Sequence, residues 1–178
     1  IKNMNKLFLS ITIVTVLGTV VSAYGLNPYH AIIKSKVRQQ FGYVNQHQYD
    51  ELLKGVSDES LEHSFAGDHS LGGVRHDKVN LKKWFERLGT VLPELKLEIS
   101  DIQVKGGPNN TLAIVRWKAT CVLLNGESYT NYGAHFITIK WGKAVKFDVY
   151  EDTKTVSHGL DVQFEAGIKG AKAPKIES

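Results

Sequence analysis

Apolar residues recur every three or four positions in the first half of the chain, and this spacing predicts three helices. Asn27-Pro28 is typical of a helix start, with Asn as the cap and Pro in the first turn. The apolar residues that follow predict an amphipathic helix over residues 28–43. A second, short helix is predicted over residues 46–54, and a third over residues 77–88, with a polar, glycine-rich loop at 67–73 before the third helix.

After Pro93 the apolar period changes from about 3.6 to two, which indicates β-strands. A slip in the pattern near Asp101 and the hairpin signal Asn125-Gly126 divide this region. A short strand at 61–65 precedes it, and a helix or turn at 152–160 follows it. The main predicted strands run over residues 95–104, 112–124, 127–141 and 144–151.

Helices that are segregated from an antiparallel meander indicate the α+β class. We expect a curved antiparallel sheet that wraps a long N-terminal helix, with two further helices. Such a sheet would leave a cone-shaped cavity between itself and the first helix, and alternate side chains of the last strands would line that cavity.

The first 23 residues are predicted to be a targeting segment rather than part of the fold. Lys2 and Lys6 precede an uncharged apolar run over residues 7–21, and Val21-Ser22-Ala23 provides small residues for a cut after Ala23. This pattern predicts a signal peptide and therefore a secreted or periplasmic protein. The alternative is an uncleaved membrane anchor over residues 7–26, which is the one case in which we expect membrane contact.

Composition is that of a soluble globular protein of one domain: 178 residues, 42% apolar and 22% charged. The net charge of +4 comes mainly from lysines near the two ends, so no nucleic-acid partner is expected. Cys121 is the single cysteine, which excludes an intrachain disulfide and a cysteine-based zinc site. We expect a folded domain over residues 24–162 and a flexible tail over 163–178.

Several short motifs in this order resemble the nuclear transport factor two-like superfamily, and within it the SnoaL-like (polyketide cyclase-type) domains. The resemblance covers residues 27–160 and implies a curved sheet around a pocket, often with dimerisation through the outer face of the sheet. The superfamily includes isomerases, hydratases, cyclases and epoxide hydrolases, and also members that only bind, so it implies no single activity. The motifs are His63-Ser-Phe65, Gly67-Asp-His-Ser-Leu-Gly-Gly73-Val-Arg75, Trp84-Phe-Glu-Arg87, Val115-Arg-Trp117, Tyr129-Thr-Asn131-Tyr-Gly133-Ala-His135 and Tyr150-Glu-Asp152-Thr153.

The resemblance implies an acid near the end of the last strand, where Asp148 and Asp152 stand. Strand alternation puts Tyr150 on the same face as these two acids. The candidate catalytic residues are therefore Asp148, Asp152 and His135. The candidate ligand-binding residues are His63, His69, Trp84, Arg116, Asn131 and Tyr150. The alternative for Arg116 is a cross-strand ion pair with an aspartate, and the alternative for His135 is a hydrogen-bonded wall residue.

No metal site and no cofactor are predicted. His63, His69 and His76 are six and seven residues apart, which matches neither a helix face nor a compact zinc motif. Trp117 and Trp141 are expected on the outer face or at a dimer interface, and Cys121 is expected to be a buried, inert thiol.

These observations favour a protein that binds a small hydrophobic or mixed-polarity molecule in a conical pocket. The resemblance to SnoaL-like domains implies that this molecule is polyketide-like. The first alternative is a cofactor-free isomerase, cyclase or epoxide-hydrolase-like enzyme that uses Asp/His acid–base catalysis. The second alternative is a dimerising interaction module without catalysis. In each case a homodimer through the outer sheet face is expected.

Overall fold

The computed structural model describes residues 27–178, which fall into two units. Residues 27–32 belong to the first unit and hold the start of helix α1; the second unit is Ile33–Ser178. The predicted signal peptide at 1–23 and the alternative anchor at 7–26 lie outside the described residues. In the part that is described, no helix has the length and apolar character needed to cross a membrane.

Helices predominate in the first half of the described chain, and strands predominate in the second half. In chain order they are α1 (Pro28–Asn45), α2 (Tyr49–Lys54), β1 (Glu62–Phe65), β2 (Gly73–Arg75), α3 (Lys78–Val91), β3 (Lys96–Gly107), β4 (Asn110–Val122), β5 (Ser128–Lys140), β6 (Lys143–Glu151), α4 (Thr153–Glu165) and a 3₁₀ turn (Lys169–Lys172).

Side-chain caps start three of the four helices described, and the cap predicted at Asn27 is one of them. Asn27 Oδ1 accepts the backbone N–H of His30 at 3.3 Å, and Asp77 Oδ1 accepts that of Asn80 at 2.7 Å. Asp152 Oδ1 does the same for Lys154 at 2.9 Å and so starts α4. The three predicted helices are present, and α4 is a longer helix than the helix or turn expected at 152–160.

Six strands form one curved, open sheet in the order β2-β1-β6-β5-β4-β3. All neighbours are antiparallel except β1 and β6, which are parallel. The α+β prediction is therefore confirmed. The slip expected near Asp101 is a register shift between Ile99 and Asp101, and irregularities of this kind bend a strand. Strand β2 was not predicted: it begins at Gly73, the last residue of the predicted loop, and three residues are too few to show a period.

One face of the sheet packs against the helices. On β4 the residues of this inner face are Ala113, Val115, Trp117 and Ala119, all of them buried. The prediction for Trp117 was wrong: its side chain is 4% exposed and lies on the inner face. Gly133, its partner on β5, makes room for it, since a Cβ at Gly133 would collide with the Trp117 ring. Trp141 is exposed in the β5–β6 turn.

The last residues differ from the flexible tail expected over 163–178. Helix α4 continues to Glu165, and Ala171 in the following 3₁₀ turn is buried. Buried Arg75 donates from Nε to the carbonyl oxygen of Ile176 at 2.7 Å, and the backbone N–H of His76 donates to Ser178 Oγ at 2.8 Å. These partners are backbone and hydroxyl groups, so a composition rich in Lys, Ala, Gly and Pro gives no sign of them.

Candidate functional site

A cavity of about 180 Å³ lies inside the second unit, between α1, α3 and the inner face of the sheet. Its walls are mainly apolar, for example Val37 and Phe41 from α1, Leu88 from α3 and Ile137 from β5. Among the polar side chains that line it, five come from strands: His63, Trp117, Tyr129, His135 and Glu151. Three further polar residues, Lys36, Gln39 and Gln40, line it from α1. The chemistry on the sheet side of the cavity therefore depends on how the five strand groups are partnered.

The tautomer of His135, on β5, is set by Trp117 on the adjacent strand β4. Trp117 Nε1 donates a hydrogen bond to His135 Nδ1 at 2.6 Å. Because an indole N–H can only donate, Nδ1 must be unprotonated and the proton of the neutral ring must sit on Nε2. Burial lowers the pKa of His135 to about 4, so the ring is neutral at pH 7. The ring also packs edge-on against Phe41, with 5.3 Å between the centroids.

His63 is held in the same tautomer by a different donor. Arg75 Nη1 lies 2.9 Å from His63 Nδ1, and a guanidinium has no acceptor, so Nδ1 of His63 accepts. Burial first, and then the positive charge of Arg75, keeps the pKa of His63 well below its ordinary value. The His63 ring packs edge-on against Trp84, with 4.6 Å between the centroids.

Glu151, Asn131 and Tyr129 form a third polar group at the cavity wall. Asn131 Nδ2 donates to Glu151 Oε2 at 3.0 Å and to the Tyr129 hydroxyl at 3.3 Å. Burial raises the pKa of Glu151 to about 8, and the charge of neighbouring Asp152 adds to this shift. Burial is also the main reason why the pKa of Tyr129 is raised, so both side chains carry their proton at pH 7.

Asp148 and Tyr150 share a face of β6 as predicted, but that face is the outer one, and Asp152 lies just beyond the end of the strand. Asp148 lies 3.4 Å from Lys146 in an ion pair, and Tyr150 is 57% exposed. Asp152 caps α4, and hydrogen bonds from the backbone N–H groups of Thr155 and Lys154 lower its pKa. None of the three lines the cavity. The acid that the last strand does bring to the cavity is Glu151.

Arg116 and His69 also lie away from the cavity. Arg116 is exposed on the outer face of β4, and no ion pair joins it to Asp148 or Asp152 in the described part of the chain. His69 lines a separate depression formed with α4 and the C-terminal segment.

Of the nine predicted site residues, the structure brings His63, Trp84 and His135 to the cavity, and it places Asn131 next to Glu151. Glu151, Tyr129 and Trp117 were missed as site residues. The period of two along β6 could have identified Glu151, since it shares a face with Phe147 and Val149. Residues 27–178 contain no group of three or more His, Cys, Asp or Glu side chains placed to hold a metal ion.

Comparison with known proteins supports the same architecture. The family model of the SnoaL-like domain matches residues 37–147. No curated protein matches the chain. Solved structures with the same fold include TerC co-crystallised with polyporic acid, at 19% identity and a TM-score of 0.61, covering 70% of this chain and 95% of TerC.

Two further solved structures agree with this assignment of the fold. A nuclear transport factor two-like protein of unknown function from Burkholderia pseudomallei K96243 is 18% identical, with a TM-score of 0.62 over 70% of this chain and 94% of that one. A candidate SnoaL-like polyketide cyclase from Jannaschia sp. CCS1 is 13% identical, with a TM-score of 0.61 over 75% and 94% of the two chains.

Proposed function

Because the chain belongs to the SnoaL-like domain family, we propose that it binds a small, mainly apolar molecule in the cavity between α1, α3 and the sheet. The observation that carries this proposal is a mainly apolar cavity with a few polar groups at its wall, the usual composition of a small-molecule site. A dry cavity of ~150 Å³ is large enough to take up benzene. A volume of about 180 Å³ therefore favours a ligand built on one substituted ring.

Native mass spectrometry of the protein purified from its source tests this proposal. We expect a small molecule that stays bound in the native spectrum and is released on denaturation. The spectrum also reports the mass of the chain, which tests the predicted cut after Ala23. A protein that arrives empty, and that then takes up no small apolar molecule added to it, would contradict the proposal.

A matched pair of variants links binding to the cavity. Ala119 lines the cavity on β4, whereas Ala134 lies on the outer face of the adjacent strand β5. Ala119→Phe should fill the cavity and reduce ligand retention at least about tenfold, while Ala134→Phe should leave retention unchanged. Equal retention in both variants would show that the molecule binds elsewhere.

A second candidate function, acid–base catalysis, is favoured by one observation: a buried carboxyl that lines the cavity. The pKa of Glu151 is raised to about 8, close to the pH at which a group serves best as a general acid or base. Once a reacting ligand is identified, Glu151→Gln should lower kcat by about 10²-fold or more. The control is Asp148→Asn on the outer face; a loss of kcat in that variant and not in Glu151→Gln would restore the predicted role of Asp148.

The outer sheet face supports a proposal of homodimerisation. Tyr132, Phe136 and Tyr150 form an aromatic group there and are 66%, 36% and 57% exposed. Sedimentation analysis should give a dimer for the wild type and a monomer for Phe136→Asp, because a charge in the middle of an apolar interface would be desolvated. A wild type that sediments as a monomer over the whole concentration range would refute this assembly.

A further inference from the structure

The two cavity histidines, His63 and His135, present the same atom to a ligand. Each accepts a hydrogen bond at Nδ1, from Arg75 in one case and from Trp117 in the other. Both of these partners can only donate, so each neutral imidazole has its hydrogen on Nε2. The hydrogen bonds that the described residues give these two rings are both at Nδ1, none is found at either Nε2, and both residues line the cavity.

The other polar group at the wall adds donors too. The Tyr129 hydroxyl accepts from Asn131, and its own hydrogen has no acceptor among residues 27–178. Glu151 is the single acidic residue that lines the cavity in the described range, and the rise of its pKa to about 8 keeps it protonated at pH 7. Its second oxygen, Oε1, has no protein partner in that range. A protonated carboxyl donates one hydrogen bond.

A cavity of this kind discriminates between ligands by hydrogen-bond polarity. A ligand oxygen that accepts a hydrogen bond would satisfy an N–H group that is otherwise unpaired in an apolar site. A ligand cation would gain a balancing carboxylate only if Glu151 released its proton, and the desolvation of both charges would oppose binding. An apolar ligand without an acceptor would leave the N–H group unsatisfied.

We propose that the cavity selects a small, mainly apolar molecule that carries an uncharged acceptor oxygen, such as a carbonyl, and that Nε2–H of His135 donates to that oxygen. Trp117 is the positioning residue, because its indole holds His135 in the required tautomer. This inference rests on the proposed binding function and adds the chemical class of the ligand.

Three probes of nearly the same shape test the inference on the purified wild-type protein. Acetophenone has an acceptor oxygen, cumene has a methyl group and a hydrogen in its place, and the 1-phenylethylammonium cation has only donors. Ligand-observed NMR titration should show acetophenone binding about tenfold more tightly than cumene, and no binding of the cation. If cumene binds as tightly as acetophenone, the ligand class is wrong while the binding function stands. If none of the three binds, both proposals fail.

Variants and a spectroscopic measurement assign the donor. His135→Leu should abolish the preference for acetophenone and keep cumene binding, whereas Tyr132→Phe on the outer face should change neither. Nitrogen-15 spectra of the wild type do not depend on how a variant folds: they should show His135 with a bare Nδ1 and a protonated Nε2. A protonated Nδ1, or an unchanged preference in folded His135→Leu, would overturn the assignment. Trp117→Phe should restore a mixture of tautomers and reduce the preference.

Discussion

Glu151→Gln should make the protein more stable in alkaline solution and change its stability little in acid. In the folded protein the pKa of Glu151 is raised from 4.5 to about 8, chiefly by burial. Between these two pH values the unfolded chain has released this proton and the folded chain still holds it, so the free energy of unfolding falls as pH rises. The loss is complete above pH 8, where both states are ionised.

The magnitude follows from the size of the shift. At ~1.4 kcal/mol per pKa unit, a change from 4.5 to about 8 corresponds to at most about 5 kcal/mol. This is large beside the ~5–15 kcal/mol that stabilises a typical domain. Gln has no charge at any pH, and its side-chain oxygen can accept the hydrogen bond that Asn131 Nδ2 now gives to Glu151.

The assay is urea unfolding of the wild type and of Glu151→Gln at pH 5, 7 and 9. We expect the two to be similar at pH 5 and the variant to be more stable by several kcal/mol at pH 9. Glu59→Gln, at an exposed position, serves as the control and should follow the wild type at every pH. The reasoning is refuted if the difference between Glu151→Gln and the wild type is the same at pH 5 and pH 9.

Three further predictions concern the groups that hold the cavity in place. Burial lowers the pKa of His135 from 6.5 to about 4, so the stability that is present above pH 6.5 is lost as pH falls through this range. His135→Phe should remove that loss. The measurement is the difference in unfolding free energy between pH 7 and pH 4.5. Arg75→Met should destabilise the folded protein by about 3 kcal/mol or more, because His63 Nδ1 and the Ile176 carbonyl lose their donor. Amide hydrogen exchange should become faster in the last residues of the chain. Unchanged exchange there would contradict the contact between Arg75 and Ile176. Gly133→Ala should cost about 1–3 kcal/mol, because its Cβ meets the Trp117 ring, and equal thermal stability of variant and wild type would exclude this close approach.

The sequence was sufficient to predict the fold because its strongest signals are local. The predicted cap at Asn27 acts within three residues, and the period of the apolar residues follows from helix and strand geometry. Even the bulge near Asp101 is visible as a break in the alternation. Strand β2 lacks such a signal because three residues are too few to show a period. The C-terminal residues lack one because they are held through backbone atoms by Arg75, 101 positions before Ile176.

The candidate site was harder to predict, because alternation reports which residues share a face but not which face is inside. Along β6, alternation correctly separates Asp148 and Tyr150 from Phe147, Val149 and Glu151. The acids Asp148 and Asp152 led to the prediction that the first set faces the cavity, whereas the second set does. On β4 the same choice arose between the faces of Arg116 and Trp117. Burial of the apolar residues decides each case. Val149 and Trp117 are buried, so the residues two positions away on the same strand lie on the inner face as well.

The two histidines and the glutamate on the sheet side of the cavity share one property that explains how they coexist with apolar walls: each is uncharged near neutral pH. Burial drives the two histidines toward the deprotonated form and Glu151 toward the protonated form, so the same desolvation gives opposite shifts of pKa and a common neutrality. Arg75, the cation beside His63, does not itself line the cavity, and it also donates to the backbone carbonyls of Leu71, Gly72 and Ile176. A neutral wall of fixed donors binds an uncharged acceptor without the desolvation cost that an ion pair would impose, and this is the electrostatic basis for expecting an oxygen-bearing apolar ligand here.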